Sequence, residues 1–251
     1  MPSCASTAFS SLERPCPRRS SGALGEITAL DLGPLLLSFE VATIATLLAA
    51  VIGIAVAALL ANYRFLGRDL LDVVFTAPMV MPPTVLGYYV LVVLGRRSLL
   101  GHAFESLTGS SIVFTVTGAV VAATIGALPL VVKSVRAALE QTDPTLMLAA
   151  RTLGATKLRA FFTVQVPLAT RGIAAALMLA FARAVGDFGV TLMVAGDIPG
   201  KTRTASLAIY GAIQAQRERE ATTMVVILTV MVLALLYAVG KLTTARRPDD
   251  R

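Results

Sequence analysis

The chain has 251 residues, of which 56% are hydrophobic and 15% are charged, and its mean hydropathy is +0.77. Soluble domains carry about 25% charged residues, so this composition indicates a membrane protein rather than a soluble one. The formal net charge is +7, but the basic residues fall mainly between apolar segments and do not line an amphipathic face with interleaved aromatic rings. Such links are expected beside lipid headgroups, so membrane lipid is a predicted partner and nucleic acid is not.

The N-terminal segment, residues 1–26, is rich in Ser, Pro and Arg and has no helical periodicity, which predicts a disordered tail. Cys4 and Cys16 both lie in this tail, so a disulfide between them would not hold the fold together. The first long apolar run begins at Leu35 and is too long for a signal peptide, so no cleaved leader is expected. Residues 27–251 are predicted to form one transmembrane domain.

Several apolar segments are long enough to cross a membrane as helices. The clearest runs from Thr222 to Gly240 without a charge. At about 1.5 Å per residue it would be roughly 28 Å long, close to the hydrocarbon thickness of about 30 Å. The predicted fold class is therefore all-α, a polytopic membrane protein with about five transmembrane helices. These helices are predicted at residues 35–61, 70–95, 112–132, 172–195 and 222–240.

The second predicted helix contains three prolines, Pro78, Pro82 and Pro83. Each proline removes a backbone donor and frees a carbonyl, so this helix is predicted to be kinked or partly broken. Lipid cannot satisfy the freed carbonyls, which therefore need protein neighbours or a water-filled path. The helix is expected to face the interior of the bundle, and a purely structural kink remains the alternative interpretation.

The distribution of Lys and Arg favours one orientation. With five crossings the termini lie on opposite sides, and the side that holds residues 62–69, 133–171 and 241–251 carries 12 basic residues, against 9 on the other side. The positive-inside rule then predicts a cytoplasmic 133–171 link and C-terminus, with the N-terminus outside. The apolar stretch 205–213 is about half the length needed to cross and is predicted to be a short interfacial or re-entrant helix in an external link.

The predicted cytoplasmic link contains a compact helix–turn–helix pattern. Asp143 is a favoured N-cap, Pro144 suits the first helical position, and Gly154 suits the left-handed position that follows a helix. A second short helix is predicted from Thr156, with Pro167 as its stop. Small and apolar residues of this segment alternate with Arg151, Lys157 and Arg159. A small-residue surface surrounded by charge suits docking into a groove of another protein.

This link resembles the EAA loop of ABC-importer permeases, whose pattern is Glu-Ala-Ala, three residues, Gly, nine residues, then Ile-x-Leu-Pro. The matching positions are Ala149, Ala150, Gly154, Val164, Val166 and Pro167. Leu148 stands where the family usually has Glu, so a salt bridge from that position is not implied. The resemblance implies that the loop, residues 140–168, docks onto an ATPase subunit. It assigns ATPase coupling to Asp143, Pro144, Ala149, Ala150, Arg151, Gly154 and Pro167.

The segments LLDVVFTAPMVMPPTVLGYYVLVVLGRR and LAFARAVGDFGVTLMVAGDIPGKTRTASLAIYGAIQ are similar to the molybdate permease subfamily, and the likeness covers residues 35–240. It implies the type I ABC importer permease fold and a transmembrane permease subunit that moves molybdate across the cytoplasmic (inner) membrane of a prokaryote. Sulfate/thiosulfate and tungstate permeases have similar motifs and remain alternatives. The implied partners are a second copy of the chain, two ATP-binding cassette ATPase subunits and an extracytoplasmic molybdate-binding protein. ATP and Mg would bind the ATPase, so this chain is expected to be no enzyme and to hold no cofactor.

Four residues are candidates for the substrate pathway of such a permease: Pro82, Pro83, Arg183 and Asp187. Arg183 and Asp187 are four residues apart, so they share one face of the predicted fourth helix. Ionisable groups at membrane depth are costly and usually face a cavity, a partner or a path. In one hypothesis Arg183 helps an oxyanion to pass, while Asp187 limits how tightly it binds. In the other, the two residues are a structural pair whose charges neutralise each other.

Catalytic and metal sites are not predicted. His102 is the only histidine and has no Cys, Asp or Glu cluster near it, and the HExxH and GxSxG motifs are absent. The sequence GDIPGKT lacks the first glycine of a phosphate-binding loop, because Ala195 occupies that position. A secondary transporter would use ion-coupling residues and commonly an internal repeat. That class remains a less favoured alternative, because it leaves the coupling-loop pattern unexplained.

Overall fold

The structure, a computed structural model, describes residues 32–63 and 65–244. The predicted tail 1–26, the two cysteines and residues 245–251 lie outside the described residues. Within the described ranges all regular structure is helical, in agreement with the predicted all-α class. The helices are α1 (Gly33–Asn62), α2 (Arg68–Val80), α3 (Pro83–Leu94), α4 (Leu99–Thr108), α5 (Val116–Glu140), α6 (Pro144–Thr152), α7 (Lys157–Ala160), a π-helical turn (Phe161–Gln165), α8 (Val166–Val185), α9 (Gly189–Ala195), α10 (Ala205–Gln214) and α11 (Glu218–Thr244).

The core of the bundle is formed where α5 packs against α1 and α8. Small residues let helix backbones approach closely, which matters in a membrane because lipid weakens the hydrophobic drive for helices to associate. Gly53 of α1 is one such position, where a Cβ would lie 2.7 Å from Cγ1 of Val131 on α5. The facing surfaces are lined with buried alanines: Ala45, Ala49, Ala57, Ala119, Ala123, Ala127, Ala176 and Ala180.

Four helices in the described chain are long and apolar enough to cross a membrane, and the bent pair α2–α3 would make a fifth if it counts as one span. The four are Gly33–Asn62, Val116–Glu140, Lys157–Val185 and Glu218–Ala238. The helices predicted at 35–61, 112–132 and 222–240 correspond to α1, α5 and α11. The predicted end of the third helix at residue 132 is too early, because α5 continues to Glu140.

The proline-rich helix predicted at 70–95 is broken. α2 ends at Val80, α3 begins at Pro83, and the bend between the two is 117°. Since Pro82 and Pro83 both lack an N–H, two successive hydrogen bonds of a continuous helix cannot form there. A new helix, α3, begins directly after the break, where the carbonyl of Pro82 accepts the N–H of Leu86 at 3.0 Å. The predicted break is confirmed, and it produces two half-helices rather than one kinked span.

The prediction that Pro167 stops the second helix of the link is wrong. α7 continues through the π-helical turn into α8, so that Lys157–Val185 is one apolar helix of 29 residues. In that turn the N–H of Val166 bonds the carbonyl of Phe161, five residues back. The wider turn moves the preceding carbonyls away from the proline ring and relieves the clash that ends an ordinary α-helix.

The single helix predicted at 172–195 is also wrong. The chain leaves the helical path after Val185 and resumes it at Gly189, so residues 186–188 separate α8 from α9. Asp187 lies in this break, not inside a helix. Its carboxylate accepts the backbone N–H of Thr191 at 3.1 Å and the hydroxyl of the same residue at 2.6 Å. These bonds satisfy donors of the first turn of α9 as a capping residue does.

Two short helices flank the long ones. α4 was not predicted, although it has an N-cap at Ser98, whose hydroxyl accepts the N–H of Gly101 at 2.9 Å, and a left-handed glycine, Gly109, at its end. α10 matches the short helix predicted at 205–213, and one face of it is buried. The hydroxyl of Ser38 on α1 accepts the N–H of Ala205 at 2.7 Å. A neighbouring helix therefore satisfies the first backbone donor of α10.

Candidate functional site

The predicted coupling segment forms a short helix, a tight turn and the start of a second helix. Asp143 caps α6, because its Oδ1 accepts the N–H of Thr145 at 2.9 Å, and Pro144 follows at the first helical position. That backbone hydrogen bond holds the pKa of the Asp143 carboxyl below its usual value, so the cap is ionised at neutral pH. Thr156 caps α7 through the N–H of Arg159 at 3.3 Å. The capping residues predicted from the sequence are therefore confirmed.

The turn between α6 and α7 depends on Gly154. Its φ is +90°, a left-handed conformation that glycine adopts freely and that strains residues with a Cβ. The N–H of Ala155 donates to the carbonyl of Ala150 at 3.1 Å, and the N–H of Gly154 donates to the carbonyl of Arg151 at 3.1 Å. These bonds satisfy carbonyls at the end of α6, which is the usual function of such a turn.

The surface of α6 is open to a partner. None of its residues is buried within the chain; Leu148 of α6 is 58% exposed, and Leu153, which directly follows the helix, is 89% exposed. Ala149 and Arg151 are exposed, while Ala150 is half-buried. Next to this surface lies a cleft of about 680 Å³ between α6, α7 and the end of α1. An exposed apolar surface beside a cleft is the arrangement expected of an interface with another protein.

A second polar group lies at the break between α8 and α9. Nη1 of Arg183 donates to Oδ1 of Asp187 at 2.9 Å, and the two side chains are 36% and 2% exposed. The buried Asp187 also accepts two hydrogen bonds from Thr191. Gly126 of α5 faces the pair, and a Cβ built there would make ordinary contact with it, 3.5 Å from Nη2 of Arg183. The contact of Thr191 with Asp187 was not predicted, because residues 172–195 were expected to form one continuous helix.

The two helix breaks meet in the fold. Gly189, the first residue of α9, packs against Pro83, the first residue of α3, so closely that a Cβ on Gly189 would lie 2.6 Å from Cβ of Pro83. Gly87 of α3 approaches Met193 of α9 in the same way, and α3 and α9 share a buried apolar cluster. The four candidate pathway residues thus fall on two adjoining breaks. Both glycines were missed by the sequence analysis, which placed residue 189 inside a continuous helix.

Pro167 is separate from both groups, in the first turn of α8 beyond the π-helical turn. Among the described residues, no group of three or more His, Cys, Asp or Glu side chains is placed to hold a metal ion. The arrangement therefore has two parts, an exposed apolar surface beside a cleft and two adjoining helix breaks, one of which carries the charged pair.

The family of the chain follows from comparisons with known proteins. Residues 49–245 match the family described as "Binding-protein-dependent transport system inner membrane component". The chain is 45% identical over 179 residues to the molybdenum transport system permease protein ModB of Escherichia coli (strain K12), a match that covers 71% of this chain and 78% of that protein. It is 31% identical over 201 residues to the sulfate transport system permease protein CysT of Salmonella typhimurium (strain LT2), covering 80% and 72%.

The fold is also that of a known transporter. A chain of the MetNI methionine ABC transporter, solved in inward facing conformations, superposes with a TM-score of 0.70 at 19% identity, covering 87% of this chain and 97% of that chain. The family match extends from α1 to the end of α11, so it includes the long helices, the coupling segment and both breaks. The chain belongs to the family of binding-protein-dependent transport system inner membrane components, the multi-pass permease subunits of ABC transporters.

Proposed function

We propose that this chain is the permease subunit of an ATP-driven importer that moves molybdate across the cytoplasmic membrane. The assignment of molybdate as the substrate rests on the difference in sequence identity between two kinds of relative. The chain is 45% identical to a molybdenum permease and 31% identical to a sulfate permease, over similar shares of its length. Sulfate or thiosulfate and tungstate are the alternative substrates, whereas the family match excludes the secondary transporter that the sequence left open.

The exposed surface of α6 is the proposed docking site for the ATPase. Asp143, Pro144 and Gly154 fix the shape of the segment, while Ala149, Ala150 and Arg151 form the contact surface. The support is physical: small exposed residues allow a partner to approach closely, and the capped helix presents them rigidly. Pro167 acts at a distance, by setting the π-helical turn that leads from this segment into α8. ATP and Mg bind the ATPase subunits and not this chain.

The meeting of the two helix breaks is the proposed place where the pathway opens and closes. Broken helices in transporters bring backbone ends to the site where substrate passes, and their freed polar groups need a water-lined path. Pro82 and Pro83 set one break and Asp187 the other. Arg183, which is partly exposed, supplies a positive charge for an oxyanion in transit. Asp187 is fully hydrogen-bonded within the protein, which favours a positioning role for its carboxylate over contact with the substrate.

The proposed assembly contains two copies of the chain, two ATPase subunits and an extracytoplasmic molybdate-binding protein. The N-terminus lies outside and the C-terminus in the cytoplasm, which requires the α2–α3 pair to count as one crossing. Reporter fusions at the two ends test this orientation. A cytoplasmic reporter should be active at the C-terminus and inactive at the N-terminus, and activity at both ends would make α2–α3 re-entrant.

Uptake of labelled molybdate, tungstate and sulfate by proteoliposomes that contain the permease, its ATPase and its binding protein tests the proposed substrate. Molybdate should be imported in an ATP-dependent manner, and excess unlabelled sulfate should compete poorly. A transporter without ATP hydrolysis is the matched control, prepared with an ATPase subunit that binds but does not hydrolyse ATP. Import of sulfate in preference to molybdate would contradict the proposal.

A further inference from the structure

The half-helix α2 is held in an unusual way. None of its residues is fully buried, unlike the long helices it packs beside. Its first two turns are tied to the neighbouring helices by polar contacts. Nε of Arg68 donates to the carbonyl of Leu60, in the last turn of α1, at 2.9 Å. Nη2 of Arg68 lies 3.7 Å from Oε1 of Glu140, the last residue of α5.

Asp72, one turn further along α2, makes the tightest of these contacts. Both of its carboxylate oxygens accept from Nζ of Lys133 on α5, each at 2.9 Å. Nη1 of Arg136 lies 3.3 Å from Oδ1 of the same carboxylate. Arg136 in turn donates from Nε to Oε1 of Glu140 at 2.8 Å. We call Arg68, Asp72, Lys133, Arg136 and Glu140 the base cluster.

The base cluster adjoins the coupling segment. Glu140 is the last residue of α5, and α6 begins at Pro144 after its cap at Asp143. Glu140 also lines the cleft beside α6, together with Arg151. A turn of only three residues, 141–143, therefore separates α6 from the base cluster.

The far end of α2 adjoins the pathway. From Asp72 to the break after Val80 is eight residues, or about 12 Å along a helix axis. Since α2 has no fully buried residue of its own, the polar contacts of its first turns restrain the side of the break that ends α2, while the packing of Pro83 against Gly189 restrains the other side. Partly exposed ion pairs contribute little to overall stability, but Lys133 and Arg136 contact the Asp72 carboxylate together and so restrain its position relative to α5.

We propose that Asp72 is a positioning residue that links the coupling segment to the helix break: through Lys133 and Arg136 it makes α2 follow the end of α5 when the ATPase moves α6. This inference rests on the proposed function, because it takes α6 as the ATPase contact. It adds a specific route by which movement at the docking surface reaches the pathway. Loss of the link should leave ATP hydrolysis intact and separate it from transport.

The test measures ATP hydrolysed per anion imported in the reconstituted transporter, for whichever of molybdate, tungstate and sulfate the wild type imports best. Asp72→Asn removes the charge and keeps the shape, and it should raise this ratio by about threefold or more, the change that about 0.7 kcal/mol produces in an equilibrium. Asp72→Glu should return the ratio toward the wild-type value. Asp72→Asn combined with Lys133→Gln should be no worse than Asp72→Asn alone, because both changes break the same link.

The matched control is Asp69→Asn, an exposed carboxylate on the same helix with no ion pair among the described contacts. It should leave the ratio unchanged. The proposal is overturned if Asp72→Asn keeps the wild-type ratio, or if import and hydrolysis fall together in proportion to the amount of assembled complex, which is the behaviour of a purely structural contact. A wrong substrate assignment would show instead in the wild type, as a preference for another anion, so the two failures are distinguishable.

Discussion

Gly154 has a left-handed backbone conformation on which the turn of the predicted coupling segment depends. Its φ is +90°, and a Cβ built on it would meet no atom within 4 Å. A substitution there is therefore opposed by backbone strain and not by a clash. Gly154→Val should cost about 1–3 kcal/mol locally, misplace α6 and abolish ATPase association, while membrane insertion continues because no spanning helix is touched. Co-purification of the ATPase with the permease measures this.

Gly109→Val is the matched control for that variant. Gly109 also follows a helix with a positive φ, +72°, and also has no atom within 4 Å of a built Cβ. It should suffer the same strain but keep the ATPase bound, because it lies outside the coupling segment. Ala150→Glu gives an independent test, since it places a charge on the docking surface without straining the turn. Normal ATPase binding and transport in both Gly154→Val and Ala150→Glu would remove residues 143–167 from the coupling role.

The pair at the second helix break predicts different outcomes for its two members. Asp187 is buried and accepts three hydrogen bonds, so Asp187→Ala leaves the buried donors of Thr191 unpaired, should destabilise the fold by about 1–3 kcal/mol and should lower the yield of protein in detergent. Arg183→Gln should keep the yield and slow import by about tenfold or more, as expected when about 1.4 kcal/mol of charge stabilisation is lost along the path. Arg183→Lys tests whether the charge alone is sufficient. If Arg183→Gln lowered the yield as much as Asp187→Ala does, the function of both residues would be structural.

Among single residues, those with local functions could be predicted from the sequence. Asp143, Thr156 and Gly154 act through hydrogen bonds and dihedral angles within a few residues, so the pattern of residue types is enough. Gly87 and Gly189 could not be predicted, because each is small to accommodate a residue far away in sequence, Met193 and Pro83 respectively. A glycine in an apolar helix gives no sign of which neighbour approaches it.

At the level of elements, the prolines show why the same residue type had different outcomes. Pro82 and Pro83 are consecutive, so two hydrogen bonds are lost together and the helix separates into α2 and α3 with a bend of 117°. Pro167 is single and is preceded by a π-helical turn that accommodates its ring. The break between α8 and α9 was not predicted, because the long apolar run around it has the composition of a continuous helix. The turn-forming residues Gly186, Asp187 and Gly189 are the signal for a break there.

Replacing the two prolines of the first break tests its function. Pro82→Ala with Pro83→Ala restores two backbone donors, so the bend should relax and the contact of Pro83 with Gly189 should be lost. Import should fall by about tenfold or more while membrane insertion and ATPase binding remain, which uptake assays and co-purification measure. Pro78→Ala is the matched control, because it restores one backbone donor inside α2 and leaves the two consecutive prolines of the break unchanged. Wild-type import by the double variant would make the break purely structural.

For the whole molecule, hydropathy and charge could predict the class but not the number of crossings. Apolar length identifies α1, α5 and α11 directly, because each is continuous. The α2–α3 pair passes the test of length and composition only when its halves are counted together. The path of a bent pair depends on packing between α3 and α9, and that packing is set by contacts remote in sequence.

The oligomeric state is the prediction that concerns the molecule as a whole. Four or five spans in the described part of the chain are few to enclose a path that opens alternately to two sides, and two-fold symmetry is the commonest symmetry of assemblies of identical chains. Two copies should therefore be present, with the helix breaks of both next to the two-fold axis. Native mass measurement in detergent, with the ATPase bound, should give two permease and two ATPase chains.

Gly154→Val should lose the ATPase and keep the permease dimer, because α6 is not part of the proposed membrane interface. A stable complex that contains one permease chain would contradict the dimer, and loss of the dimer in Gly154→Val would show that the ATPase holds the two copies together.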